Sequence, residues 1–216
     1  MPSSHRLLAL FGAIVGWFGL LLQLYLTIAL KRIAGEGLGA ALWLYLGYFT
    51  ILSNILAAMA LTACALRSRS GPMAIFQRPG TWTCVTMSML VVGLVYNVML
   101  RGLWHPQGLQ ILGDNIVHVA MPAWILLYWW LAVPKATLRW PHVWIWLVYP
   151  AVYFAYALLR GAWDGWYPYP FLDVKAIGYG QVFIDALVVL SAFLVIGLGL
   201  IALGRWQIGK YAIPHT

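Results

Sequence analysis

The stretch Gly47-Tyr48-Phe49-Thr50-Ile51-Leu52-Ser53-Asn54 lies inside a long apolar run, 41–66. At ~1.5 Å per residue such a run crosses the ~30 Å of a bilayer's hydrocarbon as a helix. Its polar residues Thr50, Ser53 and Asn54 stand at i, i+3 and i+4 and therefore share one helix face. A second polar island, Asp114-Asn115-Ile116-Val117-His118, interrupts another apolar run.

The remaining runs are roughly 7–30, 82–101, 113–133, 142–160 and 177–204, cut apart by charged or Pro/Gly-rich breaks. Hydrophobic residues make up 63% of the 216 and charged residues 8%, well outside the range of soluble domains. The pattern predicts an all-α polytopic membrane protein, a bundle of six transmembrane helices forming a single domain over residues 1–216. The first run follows His5-Arg6 and imitates a signal peptide, but it exceeds the usual length of such a segment and reads as a retained span.

The net charge of +8 does not point to nucleic acid, because the basic residues sit between apolar runs and form no continuous stripe. They read as a topology signal. Arg6, Arg67, Arg69, Arg78, Lys135, Arg139, Arg205 and Lys210 fall on one side, and Lys31, Arg32, Arg101, Arg160 and Lys175 on the other. The larger group places both termini in the cytoplasm. Trp129, Trp130, Trp140, Trp144 and Trp146 at one rim, and Trp163, Trp166, Tyr167 and Tyr169 at the other, match interfacial aromatic belts. The loop from Trp163 to Lys175, with Pro168 and Pro170, has too many breakers to be helical.

Gly12-x-x-x-Gly16 predicts close helix packing. Cys64 and Cys84 lie toward the cytoplasmic ends of consecutive spans and read as packing residues. No Cys/His cluster suggests zinc, and His5, His105, His142 and His215 lie at rims or termini, which leaves no second buried His for haem. No cofactor is expected.

Counted inward from the outer ends of the spans, Gln23, Thr50, Asn54, Asn97, His118, Gln181 and Asp185 occupy one band roughly 6–20 Å deep. An ionisable residue at that depth is expensive and needs a partner. For Asp185 the candidates are His118, by depth, and Arg101 or Arg160 at the rim. Pro122 cannot donate to the His118 carbonyl, so span four should kink there.

A Thr hydroxyl becomes a nucleophile when a neighbouring base takes its proton, and neutral His is the commonest such base. Thr50, His118 and Asp185 could thus act as nucleophile, base and orienter, with Asn54, Ser53, Asn97 or Asn115 in supporting or oxyanion-binding roles. A cavity reached from the bilayer favours a lipid ester substrate. Two rivals use the same residues: a proton-coupled carrier with a His118–Asp185 relay, and a structural or partner-binding membrane protein whose polar band packs helices.

Six spans, the order Tyr48-Phe49-Thr50 in the second and Asn115-x-x-His118 opening the fourth resemble the androgen-induced and androgen-dependent TFPI-regulating protein family. Its bacterial six-span branch is more similar still, through Leu138-Arg139-Trp140, Tyr149-Pro150 and Gly165-Trp166-Tyr167-Pro168-Tyr169-Pro170-Phe171-Leu172-Asp173. The resemblance covers nearly the whole chain. It implies a threonine hydrolase that cleaves fatty acid esters of hydroxy fatty acids, with Thr50 as nucleophile and His118 as its essential partner. It also implies a lipid ester substrate, a fatty acid product and a bacterial inner membrane, while the depth count puts the active site in the non-cytoplasmic half.

Overall fold

The computed structural model describes residues 3–68, 70–103 and 105–211; Arg69 and His215 of the counts above lie outside the described residues. Described residues include no strand. Five helices are long and apolar enough to cross a membrane, or six if one bent pair counts as a single span. The chain folds as two compact units, 1–137 and 138–216.

In the first unit, α1 is Ser3–Ile33. Gly12, Gly16 and Gly19 form its buried stripe, and a Cβ there would lie 2.2 Å from the Trp124 indole nitrogen, 2.8 Å from Met121 and 2.4 Å from Ile116. The expected Gly12/Gly16 packing face is therefore present and one turn longer. It lets α1 lie almost backbone-to-side-chain against the helix that carries His118.

The run 41–66 is not one helix. Leu38–Tyr45 (α2) and Phe49–Ala65 (α3) meet at 81°. Leu46 still closes the last turn of α2, and Tyr48 is extended (φ −91°, ψ 131°), which ends one helix and starts the next. The Tyr45 hydroxyl donates to the Leu20 carbonyl of α1 at 2.8 Å, while Leu20, Tyr45, Ile51 and Ala58 pack into one apolar cluster that fixes the corner. Depth counted straight along this run is thus corrected: α2 bends away, and Thr50 opens α3 instead of lying deep within a continuous helix.

Helix α4, Pro79–Val95, begins with Pro at a position where the missing N–H costs nothing, and it continues into a π-helical turn, Tyr96–Leu100. Span four consists of α5 (Leu109–Asn115), a second π turn (Ile116–Ala120) and α6 (Met121–Ala132). The interruption expected from Pro122 takes this form, with the Met121 N–H bonding five residues back to Ile116. Beyond α6, Lys135 turns back and donates to the carbonyls of Trp129 and Trp130, both at 2.7 Å.

The second unit contains α7 (His142–Trp146), α8 (Val148–Asp164) and α9 (Val174–Tyr211). Gly165 (φ +77°) ends α8 in the left-handed conformation glycine allows. Buried Arg160 donates to Asp164 at 3.2 Å and lies over the Trp166 ring at 4.4 Å. Asp173 accepts from the Lys175 and Ala176 amides at 3.0 and 3.2 Å and so caps α9. The non-helical loop is consequently shorter than 163–175: both ends belong to helices, and Pro170–Leu172 forms a single 3₁₀ turn.

Candidate functional site

Thr50 is the second residue of α3, buried, at the positive end of that helix's dipole. Ser53 and Asn54 follow one turn later on the same face, both buried. Asn54 explains why this turn faces span four. Its Nδ2 donates to the Thr50 carbonyl at 2.9 Å and to the Val117 carbonyl at 3.1 Å. One amide group therefore joins the turn that carries Thr50 to the residue preceding His118. Both donations of the Asn54 amide go to backbone carbonyls. Its Oδ1 is left buried without a hydrogen-bond partner, an acceptor suited to an O–H donor.

His118 stands in the middle of the second π turn. Its Nδ1 lies 3.1 Å from the Asp114 Oδ1 and 3.1 Å from the Asp114 carbonyl oxygen. Both neighbours are acceptors, so the network assigns the neutral ring's proton to Nδ1 and leaves the lone pair on Nε2. Asp114 is 5% exposed, and its other carboxylate oxygen accepts a hydrogen bond from the Tyr96 hydroxyl. The Tyr96 ring stacks on the His118 imidazole, with centroids 4.0 Å apart and planes 11° from parallel. Tyr96, Asp114 and His118 thus form a closed cluster in which the carboxylate is satisfied on both oxygens and the imidazole is held on an edge and a face.

Each cross-helix member comes from a non-standard turn. Tyr96 opens one π turn and His118 sits in the other, and π turns are rare, energetically inferior pieces of helix that concentrate at functional sites. Gly93 permits the approach, since a Cβ there would come within 3.4 Å of the His118 carbonyl oxygen and 3.3 Å of the Pro122 Cβ.

The other expected residues have partners on their own helices. Asp185, half-buried on α9, accepts from Gln181 at 2.8 Å. The partners offered for it are engaged differently: His118 with Asp114, Arg160 with Asp164, and Arg101 with Asn97 at 3.0 Å. The carboxylate that pairs with His118 is that of Asp114. An aspartate one helical turn from the histidine reaches it without depending on how two spans are rotated. Asn97 is exposed and donates to the Gly93 carbonyl at 2.8 Å, and exposed Asn115 donates to the Ile111 carbonyl at 2.8 Å. Asp-x-x-x-His, at i and i+4, was a visible signal for Asp114. Tyr96 had no signal beyond being an aromatic residue beside Asn97.

Among the described residues no group of three or more His, Cys, Asp or Glu side chains is placed to hold a metal ion. Comparison with protein-family models, curated proteins and solved structures gives no match.

Proposed function

We propose that the chain is an intramembrane hydrolase that cleaves lipid esters, fatty acid esters of hydroxy fatty acids or compounds like them, through a Thr50 nucleophile and a His118 general base. The observation that carries this reading is the Asp114–His118 pair, joined to the Thr50 turn by Asn54. Asp114 fixes the Nδ1–H tautomer and stabilises the imidazolium that forms when Nε2 takes a proton. In the proposed step Nε2 removes the Thr50 hydroxyl proton, and Oγ1 attacks the ester carbonyl. The positive end of α3 favours the negative charge that develops on the carbonyl oxygen.

The tetrahedral intermediate collapses to an acyl-threonine as His118 returns its proton to the departing alkoxide. Water, activated by the same Nε2, then releases the fatty acid and regenerates the hydroxyl. The buried Asn54 Oδ1 offers an acceptor for an O–H group in this region.

The same proposal places the chain across a bacterial inner membrane with six spans, α2 and α3 together forming the second. Both termini are cytoplasmic, and the site lies in the non-cytoplasmic half. The length and apolarity of the helices and the uneven distribution of Lys and Arg support this placement.

A fluorophosphonate or activated-ester probe tests the chemistry. Wild-type protein is expected to carry the label on Thr50, and Thr50→Ala to lose it; unchanged labelling of Thr50→Ala excludes the threonine. His118→Ala is expected to fold in detergent yet turn over no ester.

A further inference from the structure

Tyr96 serves no step of the mechanism above, yet its side chain comes from another helix and touches both members of the Asp114–His118 pair. A buried hydrogen-bonded tyrosine in a membrane helix has a simple structural explanation, which is to satisfy its own hydroxyl. Three observations go beyond that. The hydroxyl donates to the carboxylate oxygen that His118 does not use. The ring lies flat on the imidazole in place of the tilted contact common between aromatic rings. The chain leaves α-helical geometry at both contact points, with a π turn beginning at Tyr96 and another around His118, and Gly93 admits the close approach.

We propose that Tyr96 is a positioning residue that holds the Asp114 carboxylate and the His118 ring in one arrangement, with Nδ1–H on Asp114 and Nε2 presented to the substrate. The proposal deepens the hydrolase reading and rests on it for the meaning of Nε2. The physical account has two parts. A carboxylate anchored by one hydrogen bond can pivot; with the Tyr96 hydroxyl on Oδ2, Oδ1 is held toward Nδ1. An imidazole can flip about its Cβ–Cγ bond, which would put Cδ2 against Asp114 and Cε1 where Nε2 stood, so that the carboxylate no longer holds the proton on Nδ1. Such a flip passes through an orientation perpendicular to the observed one, and the stacked phenol ring occupies that space. Among charged groups near the pair, Arg101 ends the π turn that Tyr96 begins, and its N–H bonds back to the Tyr96 carbonyl. Its guanidinium is directed to Asn97 and leaves the carboxylate to Tyr96 and His118.

Two variants separate the parts. Tyr96→Phe keeps the stacked ring and removes the hydroxyl, whereas Tyr96→Leu removes both. The full chain is prepared in detergent micelles with ¹⁵N-labelled histidine, and the His118 signals are identified by their loss in His118→Gln. The two-bond imidazole correlation spectrum then reports which nitrogen carries the proton. Wild type is expected to show the Nδ1–H tautomer alone, and Tyr96→Leu a mixture of the two.

With a p-nitrophenyl ester of a medium-chain fatty acid as probe, kcat is expected to fall about tenfold in Tyr96→Phe and about a hundredfold in Tyr96→Leu. KM should stay within about twofold in both, since neither change removes uniform substrate binding. A single Nδ1–H signature in Tyr96→Leu overturns the proposal. If Tyr96→Leu does not fold, Tyr96→Phe decides it, and a kcat within about twofold of wild type overturns it. Should wild-type protein cleave no ester, the hydrolase reading falls while the tautomer comparison still decides the positioning role.

Discussion

Asp114 and Asp185 are both carboxylates within apolar helices, and both have a partner one helical turn away. Asp185 accepts from Gln181 on its own helix and remains half-buried. Asp114 is buried, meets His118 on its own span and also receives a hydrogen bond from the hydroxyl of Tyr96, in the π turn that continues α4. A pair within one helix satisfies a polar group locally; a cluster that recruits a second helix also fixes a geometry. Burial combined with a cross-helix partner therefore separates Asp114 from Asp185, and the proposed hydrolase assigns the orienting role to Asp114 on that ground.

The sharpest way to break this contrast is to neutralise each carboxylate in turn. Asp114→Asn keeps the size of the side chain but offers His118 a donor or a weaker acceptor, which disfavours the Nδ1–H tautomer. Losses in comparable Asp–His arrangements suggest that ester turnover should fall by roughly 10³–10⁴. Asp185→Asn is expected to leave turnover within about twofold. Equal losses in a kcat comparison would remove the distinction between the two aspartates, and equal tolerance would remove Asp114 from the mechanism.

A smaller effect is expected from the backbone contact that brings the cluster together. Gly93→Val places a branched side chain against the His118 carbonyl and Pro122, both already within 3.4 Å of where a Cβ would begin. The π turn must move to accommodate it. A misplacement of ~1 Å at a reacting group costs about 10²-fold, so turnover should fall by up to that factor while probe binding persists. Gly93→Ala, which asks the neighbours for only a few tenths of an ångström, should be much milder.

These residues also show what could be read from the sequence. The six apolar runs were legible because burial in hydrocarbon imposes a length and a composition on each. The 81° corner at Leu46–Tyr48 was not, since no proline or charge marks it; tertiary contacts such as Tyr45 to Leu20 stabilise it. Asp114 stands four residues before His118 and is legible as its local partner, whereas a depth count points to Asp185, because such a count ignores helix rotation and local pairing. Tyr96 was not legible: its role depends on two π turns that shift the helical phase, and sequence periodicity carries no record of an inserted residue.

Asn54 tests whether the contrast extends to uncharged groups. Its Nδ2 bridges two carbonyls on different helices, so it resembles Asp114 more than it resembles Asn115, whose amide bonds only within its own helix. Asn54→Leu removes both donations and should lower stability by about 1–3 kcal/mol, read as a lower unfolding temperature in detergent. Asn115→Leu should change that temperature little.

Lys135 supplies the opposite case, a buried charge whose described hydrogen bonds go only to the end of the preceding helix. It is 7% exposed, donates to the Trp129 and Trp130 carbonyls and lies 4.7 Å from the Trp129 ring. Burial pushes the ammonium down to about 8. Between that pH and the ordinary lysine range near 10.4, an unfolded chain still holds the proton that the folded chain has released, so stability should rise with pH across this window. The neutral amine keeps two N–H donors, enough for both carbonyls. Near pH 10, where the folded amine is neutral, Lys135→Met should lower stability by about 1 kcal/mol through loss of the cap. It should also abolish the rise in unfolding temperature between pH 8 and pH 10, with ester turnover at neutral pH unchanged within about twofold. A large loss of turnover in Lys135→Met would show that burial of a charge, without a second helix contributing to it, is enough to mark a functional group.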